Sequence, residues 1–526
     1  MHYKSTRGQA TNYTFEQAVL AGLSPDGGLF IPDHIPKAPA DFLTKWADLS
    51  FQELALEVLS LYIDPSEIPR DDLRQLIDRS YSTFRHPEIT PIHKVKNGLY
   101  ILELFHGPTF AFKDVALQFV GNLFEYFLQR KNKGIANEAD RHKITVVGAT
   151  SGDTGSAAIY GLRNKKDVSV FILFPTGRVS PIQEAQMTTV QDKNVHCISV
   201  GGTFDDCQAI LKDLFANEDF MSKYNLGAVN SINWARILAQ TVYYFYSYFA
   251  LLRQLKLQPG SKEAQQLRVH YSVPTGNFGD ILAGFYATEM GLPTTRLLIA
   301  TNANDILYRF FVTGVYEKAL DVEGNVHATL SPAMDIVVSS NFERLLWYLA
   351  REAAVDAQTV PEQDRDRKAG EIVEQWMLDL KKHGRFDAGP KVLAAAKRVF
   401  DAANVSDEQT CATIRAYSHP ANPASQPAYV MDPHTAVGVT AGERMHPEMD
   451  DKTNVVISLS TAHPAKFSEA VELALKEQPG VVFDEFFKTV LPKEFDGLLE
   501  AERRVTVIPR AEEALVIEVI ARELQQ

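Results

Sequence analysis

Seven short runs rich in β-branched residues, at 99–105, 143–148, 168–175, 196–200, 268–273, 296–301 and 454–460, alternate with segments of helical period such as 234–252. Strands separated by crossover helices pair in parallel, giving an α/β fold with both sheet faces covered. Such sheets bind ligands outside the carboxyl ends of their strands. The residues just past each run therefore decide what the chain can do.

After the first run stands Phe105-His106-Gly107-Pro108-Thr109-Phe110-Ala111-Phe112-Lys113-Asp114. Val115, Ala116, Phe119, Val120, Leu123 and Phe127 then recur at helical spacing, which predicts a largely buried helix with Asp114 capping its start. Lys113 sits at the mouth of that helix. Partial desolvation lowers an ammonium pKa and frees the amine, as a Schiff base with a carbonyl cofactor requires. The plainer reading is a snorkelling lysine whose stem covers Phe110 and Phe112.

Two further runs open into glycine-rich turns. Gly148-Ala149-Thr150-Ser151-Gly152-Asp153-Thr154-Gly155 offers small residues, hydroxyls and amides at a helix start, a setting for a carboxylate or an ordinary capped turn. Pro274-Thr275-Gly276-Asn277-Phe278-Gly279-Asp280 offers consecutive amides suited to a phosphate group, and it lacks the lysine of a nucleotide-triphosphate loop. The last run ends in Ser460-Thr461-Ala462-His463-Pro464-Ala465-Lys466-Phe467. A hydroxyl there can bond a heterocyclic nitrogen without forcing its protonation. His463, next to a proline, reads as structural before it reads as an acid–base group. In Asn230-Ser231-Ile232-Asn233-Trp234-Ala235-Arg236, the Asn and Arg side chains could clamp an oxyanion. Equally, Asn233 could cap the helix and Arg236 pair with a surface carboxylate.

Charge and cysteines exclude other classes. A net charge of −13 argues against a nucleic-acid backbone binder. Cys197, Cys207 and Cys411 have no paired metal spacing and read as reduced thiols, so no metal is expected. The start lacks the apolar run of a secretory signal and no stretch suits a membrane span, so a cytoplasmic protein is expected. Residues 1–95 are expected to form a mainly helical domain, 96–340 a catalytic core with a small lobe at about 120–235, and 341–427 a helical insertion with a proline-rich connector. Residues 428–526 are expected to return to the core.

Taken in order, FHGPTFAFKD, SGDTG, NSINWARI, PTGNFGD, SSNFERLL at 339–346 and STAHPAKF closely resemble the threonine synthase family, in the longer form of fungi and many bacteria. The N-terminal YKSTRG and SPDGGLFIP segments join the resemblance. It implies a tryptophan-synthase-β-like, fold-type II enzyme with pyridoxal 5'-phosphate that converts O-phospho-L-homoserine and water to L-threonine and phosphate. A related phospho-lyase acting on the same substrate is the alternative. Carried over by position, Lys113 would bond the cofactor, Gly276, Asn277, Phe278 and Gly279 would cup its phosphate with Asp280 behind, and Thr461, with or without Ser460, would face its ring nitrogen. Ser151, Asp153 and Thr154 would hold the amino-acid end of the substrate, and Asn233, Arg236 and Lys466 its phosphate end. The small lobe is the expected lid. Monomer and homodimer are both compatible with the sequence.

Overall fold

A computed structural model describes all residues except Ser151, 320–325, 422–425, 477–487, Thr489 and Gln526. Two parallel-strand sheets organise it. The larger has six strands in the order Phe400–Asn404, Arg296–Thr301, Arg268–Pro274, Asn454–Ser460, Leu99–Glu103 and Ile92–Lys96. All its neighbours are parallel except the last pair, which is an antiparallel hairpin. The smaller has five parallel strands in the order Thr506–Ile508, Val195–Val200, Val168–Pro175, Ile144–Ala149 and Leu226–Ala228.

Between the sheets run helices that are apolar on every side, as burial demands. Trp234–Leu255 is buried at every position through Leu252, and Lys113–Lys131 at nearly every one through Leu128. The N-terminal segment packs against them through helices whose starts carry reciprocal capping boxes, Thr14 with Gln17 and Ser50 with Glu53.

One crossing sets the geometry of the site. Lys113–Lys131 meets Asp153–Leu162 where Gly121 faces Gly161, so closely that a Cβ on Gly121 would lie 1.9 Å from the Gly161 carbonyl oxygen. The reverse substitution would place a Cβ 2.4 Å from the Leu117 carbonyl oxygen. Because the helices begin at Lys113 and Asp153, this glycine contact fixes the approach of those two side chains. Gly121→Ala is expected to destabilise the chain by about 3 kcal/mol, the upper range for an overpacked core. A lowered urea midpoint checks this, and an unchanged midpoint would contradict it.

Three expectations need correction. Residues 341–427 are mostly helical but are no strand-free insertion, because Phe400–Asn404 forms the parallel edge of the six-stranded sheet, paired along Arg296–Thr301. The small lobe is not confined to residues near 120–235, since Thr506–Ile508 and the helix Glu513–Glu523 complete it, with Val516 and Ile520 in one buried cluster with Val147 and Phe171. Asp114 does not cap its helix. The helix starts at Lys113, and the Asp114 carboxylate accepts both the N–H and the hydroxyl of Thr109 at 2.7 Å.

Part of the proline-rich connector, residues 422–425, lies outside the described residues. No helix among the described residues is long and apolar enough to cross a membrane.

Candidate active site

The carboxyl ends of three adjacent strands, Arg268–Pro274, Asn454–Ser460 and Leu99–Glu103, bring together the loops that begin at Thr275, Thr461 and Leu104. The backbones of the last two interlock. The Phe112 N–H donates to the Thr461 carbonyl at 2.7 Å, and the His463 N–H donates to the Phe110 carbonyl at 3.0 Å. Phe110 and Phe278 hold left-handed backbone angles, φ 59° and 62°, in two of the loops around the site.

Lys113 is 8% exposed, and its Nζ stands 4.0 Å from Asp153 Oδ2, too far for a hydrogen bond. Burial, opposed by Asp153 and aided by Arg236 and Lys466, pushes the amine down to about 8. About a tenth of it is therefore uncharged at pH 7, against under a thousandth for an ordinary lysine. The snorkelling alternative would leave the ammonium in water, and burial rules that out.

Gly276 to Gly279 leave the strand and turn into the helix Gly279–Met290. A Cβ on Gly276 would come within 3.0 Å of the Ala333 carbonyl oxygen, so the small residue is needed for the turn's close seat. Ser339 Oγ donates to the Gly276 carbonyl at 2.7 Å, and Asn341 Nδ2 donates to the carbonyls of both Asn277 and Ser231 at 3.0 Å. These bonds turn the loop's carbonyls outward to neighbours, while the first amides of the helix have no partner within it. Arg344 extends the brace to the carbonyls of Ile232 and Phe30, and Glu343 receives Thr6 and Arg7. The N-terminal segments thereby support the cup from behind. Ser339 and Asn341 have no role assigned from sequence, although the SSNFERLL motif contains both.

Asp280 stands behind the cup. Its Oδ1 accepts the hydroxyls of Tyr243 and Tyr244, and burial pushes its carboxyl up to about 7 against those bonds and Arg236. The side chain is a brace below the turn, and only its amide is suited to an anion.

Arg236 is 4% exposed, its Nη1 has no hydrogen-bond partner among the described residues, and burial lowers it to about 10, which leaves it charged. An unpaired buried guanidinium is costly in isolation and calls for an anionic ligand. Asn233 is a correction. Its Oδ1 caps the helix by accepting the Ala235 N–H and its Nδ2 donates to the Val19 carbonyl, so both ends of the amide are occupied.

At the second glycine turn, Thr150 Oγ1 accepts the N–H groups of Gly152 and Gly155 and shapes the loop, a role not assigned from sequence. Ser151 lies outside the described residues. Thr154 is half-buried in the first helical turn. Asp153 Oδ1 binds Lys466 Nζ at 2.7 Å and accepts Gln183 Nε2 at 2.8 Å. Burial alone would raise Asp153, yet Lys466 and Lys113 hold it well below the usual carboxylate range. Lys466, expected at a phosphate, is instead enclosed against Asp153 and the Thr109 carbonyl, each at 2.7 Å. His463 is structural, with its ring edge-to-face against Phe105 and Phe110 and pushed down to about 4 by burial.

An enclosed amine, an amide-lined glycine cup, a hydroxyl at Thr461 and an unpaired buried guanidinium fit an aldehyde cofactor that carries a phosphate and a ring nitrogen. The residues match three family descriptions: Threonine synthase N terminus over 2–81, Pyridoxal-phosphate dependent enzyme over 83–367, and Threonine synthase, C-terminal over 435–520. A threonine synthase of Schizosaccharomyces pombe is 57% identical over 507 residues, which cover 95% of this chain and 94% of that protein. The crystal structure of threonine synthase from yeast aligns with a TM-score of 0.89 at 53% identity, covering 100% of this chain and 99% of that one. A PLP-bound threonine synthase from Brucella melitensis aligns at 0.84 and 38% identity, covering 100% of both. The chain belongs to the threonine synthase family, among the pyridoxal-phosphate-dependent enzymes of fold type II.

Proposed function

We propose that this chain converts O-phospho-L-homoserine and water to L-threonine and phosphate, with Lys113 as the amine that bonds the cofactor and moves the substrate's protons. The observation that carries this reading is the buried Lys113 amine, its pKa lowered to about 8, within electrostatic reach of the Arg236 guanidinium, whose Nη1 lacks a hydrogen-bond partner among the described residues. When bound, pyridoxal phosphate supplies an aldehyde for an amine and a conjugated ring that accepts the electron pair left at the substrate's α-carbon.

The chain's own groups do the rest. Gly276 to Gly279 hold the cofactor phosphate by backbone amides at a helix start. Thr461 bonds the ring nitrogen, because Ser460 Oγ is engaged with Thr435 Oγ1 at 2.9 Å and Thr435 in turn with Asp432. The helix start at Asp153 and Thr154 receives the substrate's carboxylate. Arg236 receives its phosphate, which leaves from the γ-carbon before water adds at the β-carbon. Lys113 Nζ takes the α-proton as a base held beside the carbon by the rigid start of its helix. Closure of the five-stranded lobe over the site excludes water during phosphate loss.

The test is phosphate release from O-phosphohomoserine with threonine quantified alongside. Threonine equal to phosphate is expected, whereas a 2-oxo acid in its place would favour the phospho-lyase. Depression of the Lys113 pKa to about 8 sets a pH dependence. The amine is protonated below that value, so capture of pyridoxal phosphate by the cofactor-free chain should rise roughly tenfold per pH unit up to about 8 and then level off. A profile still rising at pH 10 would contradict the depressed pKa. Cys197, Cys207 and Cys411 are unpaired thiols, which supports a reducing, cytoplasmic location.

A further inference from the structure

Two lysines share one buried carboxylate. Lys466, on the short turn Pro464–Phe467, reaches Asp153 Oδ1 at 2.7 Å, while Lys113 stands 4.0 Å from Oδ2. Lys466 also donates to the Thr109 carbonyl, which Gln186 Nε2 approaches at 3.2 Å, and Thr109 holds Asp114 beside Lys113. The pair thus ties the start of one lobe's helix to the loop that presents the reactive amine.

Position sets how readily Lys113 gives up its proton. Facing Lys113, Asp153 and Asp114 favour the ammonium, whereas burial, Arg236 and Lys466 oppose it. Without Lys466, Asp153 would keep only Lys113 as a close cation, and an ion pair in a poorly hydrated site would hold that amine protonated.

We propose that Lys466 is a positioning residue that occupies Asp153 and the Thr109 carbonyl, and so weakens the hold of Asp153 on the Lys113 proton, which favours the free, reactive amine. This rests on the reading of Lys113 as the amine that bonds the cofactor.

Four full-length variants, Lys466→Met, Lys466→Arg, Asp153→Asn and Lys466→Met with Asp153→Asn, test it through the pH profile of pyridoxal phosphate capture, read by visible absorbance. The unaltered chain should be half-maximal near pH 8. Lys466→Met should move the midpoint up by about one unit or more, roughly a tenfold slower capture at any fixed pH below it. Lys466→Arg should restore the midpoint, and Asp153→Asn should lower it. The double variant, lacking both groups, should return close to the original profile. A purely structural lysine would reduce the folded amount and leave the midpoint in place. An unmoved midpoint in Lys466→Met, or a double variant displaced as far as Lys466→Met, overturns the proposal. Should Lys466→Met fail to fold, an unmoved midpoint in Asp153→Asn overturns it alone. Absence of a cofactor bond to Lys113 in the unaltered chain would instead overturn the reading beneath it.

Discussion

Lys113→Ala is expected to yield a folded chain with no imine absorbance from bound cofactor and turnover reduced roughly 10³-fold or more, the scale of losing both a covalent and a proton-transfer group. The same change should not weaken the fold. Lowering an amine from 10.5 to about 8 means that burial disfavours the ammonium by on the order of 3 kcal/mol. The sign follows from proton counts. Between about 8 and 10.5 the unfolded chain binds more protons at this site, so the penalty is fully present below 8 and fades as pH rises to 10.5. Alanine removes the penalty at neutral pH and loses the packing of the lysine stem, while Asp153 keeps Lys466. A urea midpoint equal to or above that of the unaltered chain, with activity absent, is the expected combination. An active variant that retains the absorbance band would refute the role of Lys113.

Arg236→Met should separate substrate binding from cofactor binding. Truncating one member of a buried charge pair costs about 2–5 kcal/mol, so kcat/KM for O-phosphohomoserine should fall roughly 30- to 5,000-fold. The cofactor's absorbance should persist. Stability should hold as well, because the guanidinium already lacks one partner and methionine fills similar volume without a buried charge. An unchanged kcat/KM would exclude Arg236 from the substrate's phosphate. Loss of the cofactor would reassign it to the cofactor's.

The parts legible from sequence share a physical cause. The strands Val168–Pro175, Arg296–Thr301 and Asn454–Ser460 stand where their β-branched runs place them, since strands buried on both faces must be apolar throughout. Phe400–Asn404 has no β-branched residue and Thr506–Ile508, though branched throughout, is only three residues long, so neither edge strand shows a period and pairing with a formed neighbour makes them strands. Lys113 was legible because an amine between aromatic residues at a strand end is rare, and burial is what its neighbours dictate. Partner choice was not. Asn233 and Lys466 have residue types suited to a phosphate site, but a backbone carbonyl and Asp153 engage them first. Those contacts join segments far apart in the chain, and residue type carries no record of them.

Reductive trapping of the loaded full-length chain with borohydride, followed by peptide mass mapping, tests the covalent role of Lys113 most directly. The cofactor's mass should appear on the peptide that contains Lys113 and vanish in Lys113→Ala. Its appearance on Lys466 or another lysine, or on none, would contradict the mechanism built on Lys113.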